Sequence, residues 1–127
     1  MLTPLEQKVL DMILDLPGEP YAALRQQLEV AVVTKREFTG VGFFTSFAIP
    51  DSVSVPRNVP NSILDDVAAT IEGRKYGICF MLFVRDGVMS TLEGVTLAGD
   101  DWPEEPFSFN VYRLVSWTPK RPWWKFW

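Results

Sequence analysis

The dipeptide Asp86-Gly87 constrains this chain more than any other feature. It lies between the apolar run Ile78-Cys79-Phe80-Met81-Leu82-Phe83-Val84 and an alternating stretch that starts at Val88. Asp-Gly supplies two residues that tolerate positive φ, as a two-residue type I′ turn requires, so the flanking runs are expected to pair as an antiparallel hairpin. A run as apolar as Ile78–Arg85 suits a strand covered on both faces, in the middle of its sheet. With the turn fixed, Arg85 faces Val88 and Val84 faces Met89. Strict alternation then sets Leu82 against Thr91, Phe80 against Glu93 and Ile78 against Val95 on one face. Met81 with Leu92, Cys79 with Gly94 and Phe83 with Ser90 fall on the other. Glu93 is thereby expected as a partly desolvated carboxylate among Ile78, Phe80, Leu82 and Val84. Such a group marks a functional site, or it is a rim glutamate paired with Arg36, Arg113 or a similar cation.

The N-terminal third reads differently. Thr3, Pro4 and Glu6 form a Thr-x-x-Glu capping box with proline at the first helical position. Leu5, Val9, Met12, Ile13 and Leu16 recur at helical spacing, and Pro17-Gly18 ends the helix. A second, shorter helix is expected from about Pro20, with Tyr21, Leu24 and Leu28 inward. Residues 29–38 then switch to the two-residue period of a strand. Gly40-Val41-Gly42 bends the chain before a strand over residues 43–49. Residues 50–61 carry Pro50, Pro56 and Pro60 and read as a loop. Strands follow at residues 63–72, with Val67, Ala69 and Ile71 on one side, and at 78–85, 88–97 and 107–117. Helices first and strands after predict an α+β fold: two N-terminal helices packed on a curved antiparallel sheet of about five to six strands. A partly closed sheet, bent at Gly40, Gly42 and Gly94, is the alternative. Residues 1–117 form one expected domain, and 118–127 a basic, tryptophan-rich tail.

The residue inventory argues against most catalysis. There is no histidine, and the single cysteine, Cys79, sits inside the apolar run. The commonest general base and metal ligand are therefore missing, and the thiol is poorly placed as a nucleophile. A lone cysteine makes no internal disulfide and suits a reducing compartment. No phosphate-binding loop and no Gly-x-Ser-x-Gly elbow occur; Gly40-Val41-Gly42 lacks a third glycine and a following helix. The acidic loop with Asp100, Asp101, Glu104 and Glu105 lacks the alternating acids of a calcium-binding EF-hand. No catalytic residue, metal site or cofactor is expected.

Charge and aromatic content point to contact surfaces. The net charge is −4, yet Lys120, Arg121 and Lys125 put +3 on residues 118–127, leaving −7 on residues 1–117. An acidic body repels nucleic acid and suits a basic protein partner. Asp100, Asp101, Trp102 and Glu104 form one candidate contact patch, and Trp123, Trp124 and Trp127 another. A tail mixing tryptophan with basic residues is also suited to a membrane surface, or to burial within the chain or against a second copy. No transmembrane run and no secretory leader is visible, so a cytoplasmic protein is expected.

The words Arg36-Glu37-Phe38-Thr39-Gly40-Val41-Gly42-Phe43-Phe44-Thr45, Leu92-Glu93-Gly94-Val95-Thr96 and Asp101-Trp102-Pro103-Glu104 resemble a group of small bacterial proteins of unassigned function. The resemblance implies a bacterial, cytoplasmic α+β protein and brings no activity, cofactor or catalytic residue. Glu37, Thr39, Thr45 and Glu93 are the expected polar site, if the protein has one. The leading expectation is a non-enzymatic interaction protein, such as an accessory subunit or a toxin inhibitor of immunity type. The alternatives are a small-ligand binder or hydrolase using Glu37 and Glu93 as paired carboxylates, and a membrane-surface protein working through its tail.

Overall fold

The computed structural model describes residues 1–104 and 107–114. Helix α1 spans Pro4–Ile13, with both halves of the capping box formed: Thr3 Oγ1 accepts from the Glu6 N–H, and the Glu6 carboxylate accepts from the Thr3 N–H. It buries Leu5, Val9, Leu10 and Ile13; Met12 is half-buried, and Leu16, expected on the same stripe, lies past the helix end and is half-buried as well. Helix α2 covers Tyr21–Val30. Arg25 on α2 donates to the carbonyl of Leu14, the C-cap of α1, which the helix leaves open, and to that of Leu16 in the connection that follows. Ala23, Leu24 and Gln27 are the buried residues of α2; Tyr21 and Leu28, expected inward with Leu24, are half-buried and pack against the core.

Among the described residues six antiparallel strands follow: β1 (Val32–Phe38), β2 (Gly42–Ala48), β3 (Ser62–Ile71), β4 (Ile78–Arg85), β5 (Val88–Thr96) and β6 (Phe109–Arg113). Their order is β1-β2-β5-β4-β3-β6, an open sheet with β1 and β6 at its edges. The fold is α+β, as the succession of periods predicts. The sheet does not close on itself, because its two edges carry different strands and neither pairs the other. The strand expected to start at residue 29 begins at Val32, since α2 runs on to Val30. The last strand ends at Arg113 among the described residues, and the expected tail over residues 118–127 lies outside them.

Both helices lie on one face of the sheet. There the buried cluster joins Leu5, Val9, Leu10, Ile13 and Leu24 to Phe43, Phe80, Leu82, Met89 and Leu92. The loop over residues 50–61 contributes Val59, which bridges to Gly87. No helix among the described residues is long and apolar enough to cross a membrane.

The β4–β5 turn has Asp86 at φ 55° and Gly87 at φ 88°, both positive as a type I′ turn demands. The pairs Arg85 with Val88 and Val84 with Met89 form as expected. The register then shifts by one residue at Ser90, so that Phe83 pairs Thr91, Leu82 pairs Leu92 and Met81 pairs Glu93. A bulge of this kind moves every later side chain of β5 to the other face. Leu92 enters the core, and Glu93 turns away from the face that strict alternation assigned to it. Gly94 faces Phe80 instead of Cys79, and a Cβ there would lie 2.5 Å from the Phe43 ring.

Candidate functional site

Cross-strand register decides which expected site residues meet. Glu37 on β1 pairs Phe44 on β2, which pairs Glu93 on β5. Both acids therefore lie on the helix-free face, but Phe44 stands between them, and two strand spacings amount to roughly 10 Å. Glu37 is exposed and pairs Lys35 at 2.5 Å, which raises the pKa of that lysine through the hydrogen bond and the attraction of the carboxylate. Thr39 is an exposed residue of the turn between β1 and β2, its N–H donating to the Gly42 carbonyl. Thr45 is fully buried on the helix-covered face. The four residues are thus spread over two faces and a turn. Glu93 has no ion pair among the described residues: Arg36 pairs Glu6 and Arg113 pairs Asp66.

A polar cluster does form, around Glu6, which the sequence presents only as a capping residue. Arg36 and Thr45 are cross-strand partners on the helix-covered face. The Glu6 carboxylate, 2% exposed, drops between them from the first turn of α1. Its Oε1 accepts from Arg36 Nη2 at 2.6 Å and from the Thr3 N–H at 2.8 Å. Its Oε2 accepts from Arg36 Nε at 2.9 Å and from the Thr45 hydroxyl. Burial works to raise the Glu6 pKa, but the hydrogen bonds from Arg36, Thr45 and Thr3 outweigh it, with the Arg36 charge adding to them. The carboxyl is held below its ordinary range. The same contact raises the Arg36 pKa. A carboxylate with four donors is committed to holding α1 on the sheet and is poorly suited to shuttling protons.

Gln27 is the second buried polar node. Its Nε2 donates to the carbonyls of Pro56 and Gly87 at 2.8 and 3.0 Å, and its Oε1 accepts from the Met89 N–H at 2.8 Å. It clamps α2 to the hairpin turn and to the loop over residues 50–61. Neither Gln27 nor the Glu6–Arg36 bridge carries a local sequence signal, because their partners lie 29 to 62 positions away.

Beside Arg36 the aromatic residues form a wall. Trp102 stands edge-on to Phe43 at 5.3 Å and to Phe107 at 6.0 Å, and Phe107 meets Phe109 at 5.8 Å. Of the expected acidic patch, Trp102 packs against the core, whereas Asp101 and Glu104 are exposed and Asp100 is half-buried. The loop is tied down by its backbone. The Trp102 N–H donates to the Gly40 carbonyl, and the Thr96 hydroxyl donates to the Asp100 carbonyl. Trp123, Trp124 and Trp127 lie outside the described residues.

The helix-free face has a different character. Phe44, Cys79, Met81, Phe83 and Val95 are half-buried on it, with Glu93, Thr91 and Ser46 between them. No helix lies over this face among the described residues. Burial, and to a lesser degree the charge of Asp65, raise the pKa of the Cys79 thiol. Among the described residues no group of His, Cys, Asp and Glu side chains converges in a way that would hold a metal ion. Compared with known protein families, curated proteins and solved structures, the chain matches none.

Proposed function

We propose that this protein is a non-enzymatic cytoplasmic interaction module, an accessory subunit or an inhibitor of immunity type, which meets a basic protein partner on the helix-free face of its sheet. The supporting observation is that face itself: Phe44, Met81, Phe83 and Val95 form an apolar centre, with Glu93 among them and Glu37 beside them. Continuous apolar surface edged by polar groups is typical of protein contact sites. The charge of −7 on residues 1–117 favours a basic partner and steers its approach. The buried polar groups support the same reading, since Glu6 and Gln27 are committed to partners within the fold.

The test is site-specific photo-crosslinking in cells of the native source. A photoreactive residue replaces Met81 on the helix-free face, or Lys8 on the exposed side of α1 as a control. A protein adduct from position 81, absent from position 8 and lost on adding Glu93→Lys, is the expected result. Adducts formed equally from both positions, or none from position 81, would contradict the proposal.

A further inference from the structure

A pocket of about 570 Å³ opens on the helix-covered side, bordered by Arg36, Phe38, Phe43, Trp102, Phe107 and Phe109, with the start of α1 at one end. Its volume suits a small organic molecule. The polar groups on its wall are one-sided. Arg36 uses Nε and Nη2 on Glu6 and the Met1 carbonyl, and its Nη1 makes no hydrogen bond among the described residues. The indole Nε1–H of Trp102 has no acceptor among the described residues, but it is fully buried and out of a ligand's reach. The Glu6 carboxylate has its four donors already and offers little to a ligand.

We infer that this pocket binds a planar aromatic carboxylate. Its ring would lie among Phe38, Phe43 and Phe107, and its carboxylate would accept from Arg36 Nη1. Charge-assisted bonds to guanidinium are the strong ones, and the aromatic wall favours edge-to-face contact with a flat ring. The site lies across the sheet from the proposed partner-binding face and does not depend on it.

The probe is 1-naphthoate, titrated into the full-length protein by calorimetry and by two-dimensional NMR, with 1-naphthalenemethanol as the uncharged control. Saturable binding of the carboxylate is expected, at least fivefold tighter than the alcohol, with shifts centred on Phe38, Phe43 and Trp102. Phe38→Ala removes an exposed ring at the rim, so the fold should persist while both probes weaken. Arg36→Lys keeps a cation beside Glu6 and removes the free guanidinium nitrogen, and should weaken the carboxylate more than the alcohol. Equal affinity for the two probes would overturn the inference, as would the absence of saturable binding at millimolar concentration. Binding that emerges only when residues 115–127 are deleted would overturn it too, and would name the chain's own aromatic tail as the occupant.

Discussion

The two faces of the sheet are built from adjacent residues and behave as opposites. Phe80, Leu82 and Leu92 point to the helices and are fully buried, whereas Met81, Phe83 and Glu93, their immediate neighbours, are half-exposed on the other side. On the covered face every buried side-chain polar group among the described residues except the Trp102 N–H has partners: Glu6 with Arg36 and Thr45, Gln27 with two elements at once. On the helix-free face apolar and acidic side chains sit together without forming such a network among the described residues. The covered face holds the molecule together, and the other is the surface proposed to meet a partner.

The contrast can be broken most strongly by truncating neighbours. Phe80→Ala should destabilise by about 4 kcal/mol, because a fully buried ring leaves a cavity that its surroundings fill only in part. Met81→Ala, one residue away, should cost about 1 kcal/mol or less. Urea denaturation of the two variants checks this, and equal losses would mean that the two faces are equally enclosed.

Next in size is Glu6→Gln, which leaves a partly buried Arg36 without its counter-charge and should cost about 2–3 kcal/mol at neutral pH. The loss has a pH signature. Because the folded carboxyl titrates below its ordinary value, the native state resists protonation more than the unfolded chain does. Its contribution is therefore complete above the unfolded value of about 4.3 and is lost as pH falls towards the lower folded value. Stability curves of the wild type and Glu6→Gln should run apart at pH 7 and converge below about pH 4. A gap that persists unchanged at pH 3 would mean that the carboxylate charge is not what Glu6 contributes.

The smallest effect sharpens the same contrast. Thr45→Val removes a hydroxyl that donates to a buried carboxylate and should cost about 1–2 kcal/mol, while Thr91→Val on the helix-free face should stay within about 0.5 kcal/mol. Thermal unfolding of the pair settles it; a Thr91 variant as weakened as the Thr45 variant would show that the outer face also carries a structural network.

Local signals were legible and non-local ones were not. The Thr3–Glu6 box, the Asp86-Gly87 turn and the central placement of Ile78–Arg85 follow from chemistry within a few residues. The bulge at Ser90 does not, because Ser90 and Thr91 suit either face. The spacing of three between the buried Met89 and Leu92 is the signal that could have located it. That shift is why Glu93 lies on the helix-free face. Glu6 shows the converse: its capping role accounted for it completely, so nothing in the sequence pointed to Arg36, 30 positions away.

Cys79 is the chain's single cysteine and lies on the helix-free face, so its alkylation by N-ethylmaleimide tests most directly whether that face is open in the native full-length protein. The expected result is modification from the folded state, slower than a free thiol because burial and Asp65 raise the thiol pKa. The rate should not change when Leu10→Ala weakens the distant core by about 2–5 kcal/mol. A rate that climbs in step with that destabilisation would mean that Cys79 reacts only after unfolding, and that the face assigned to a partner is already covered.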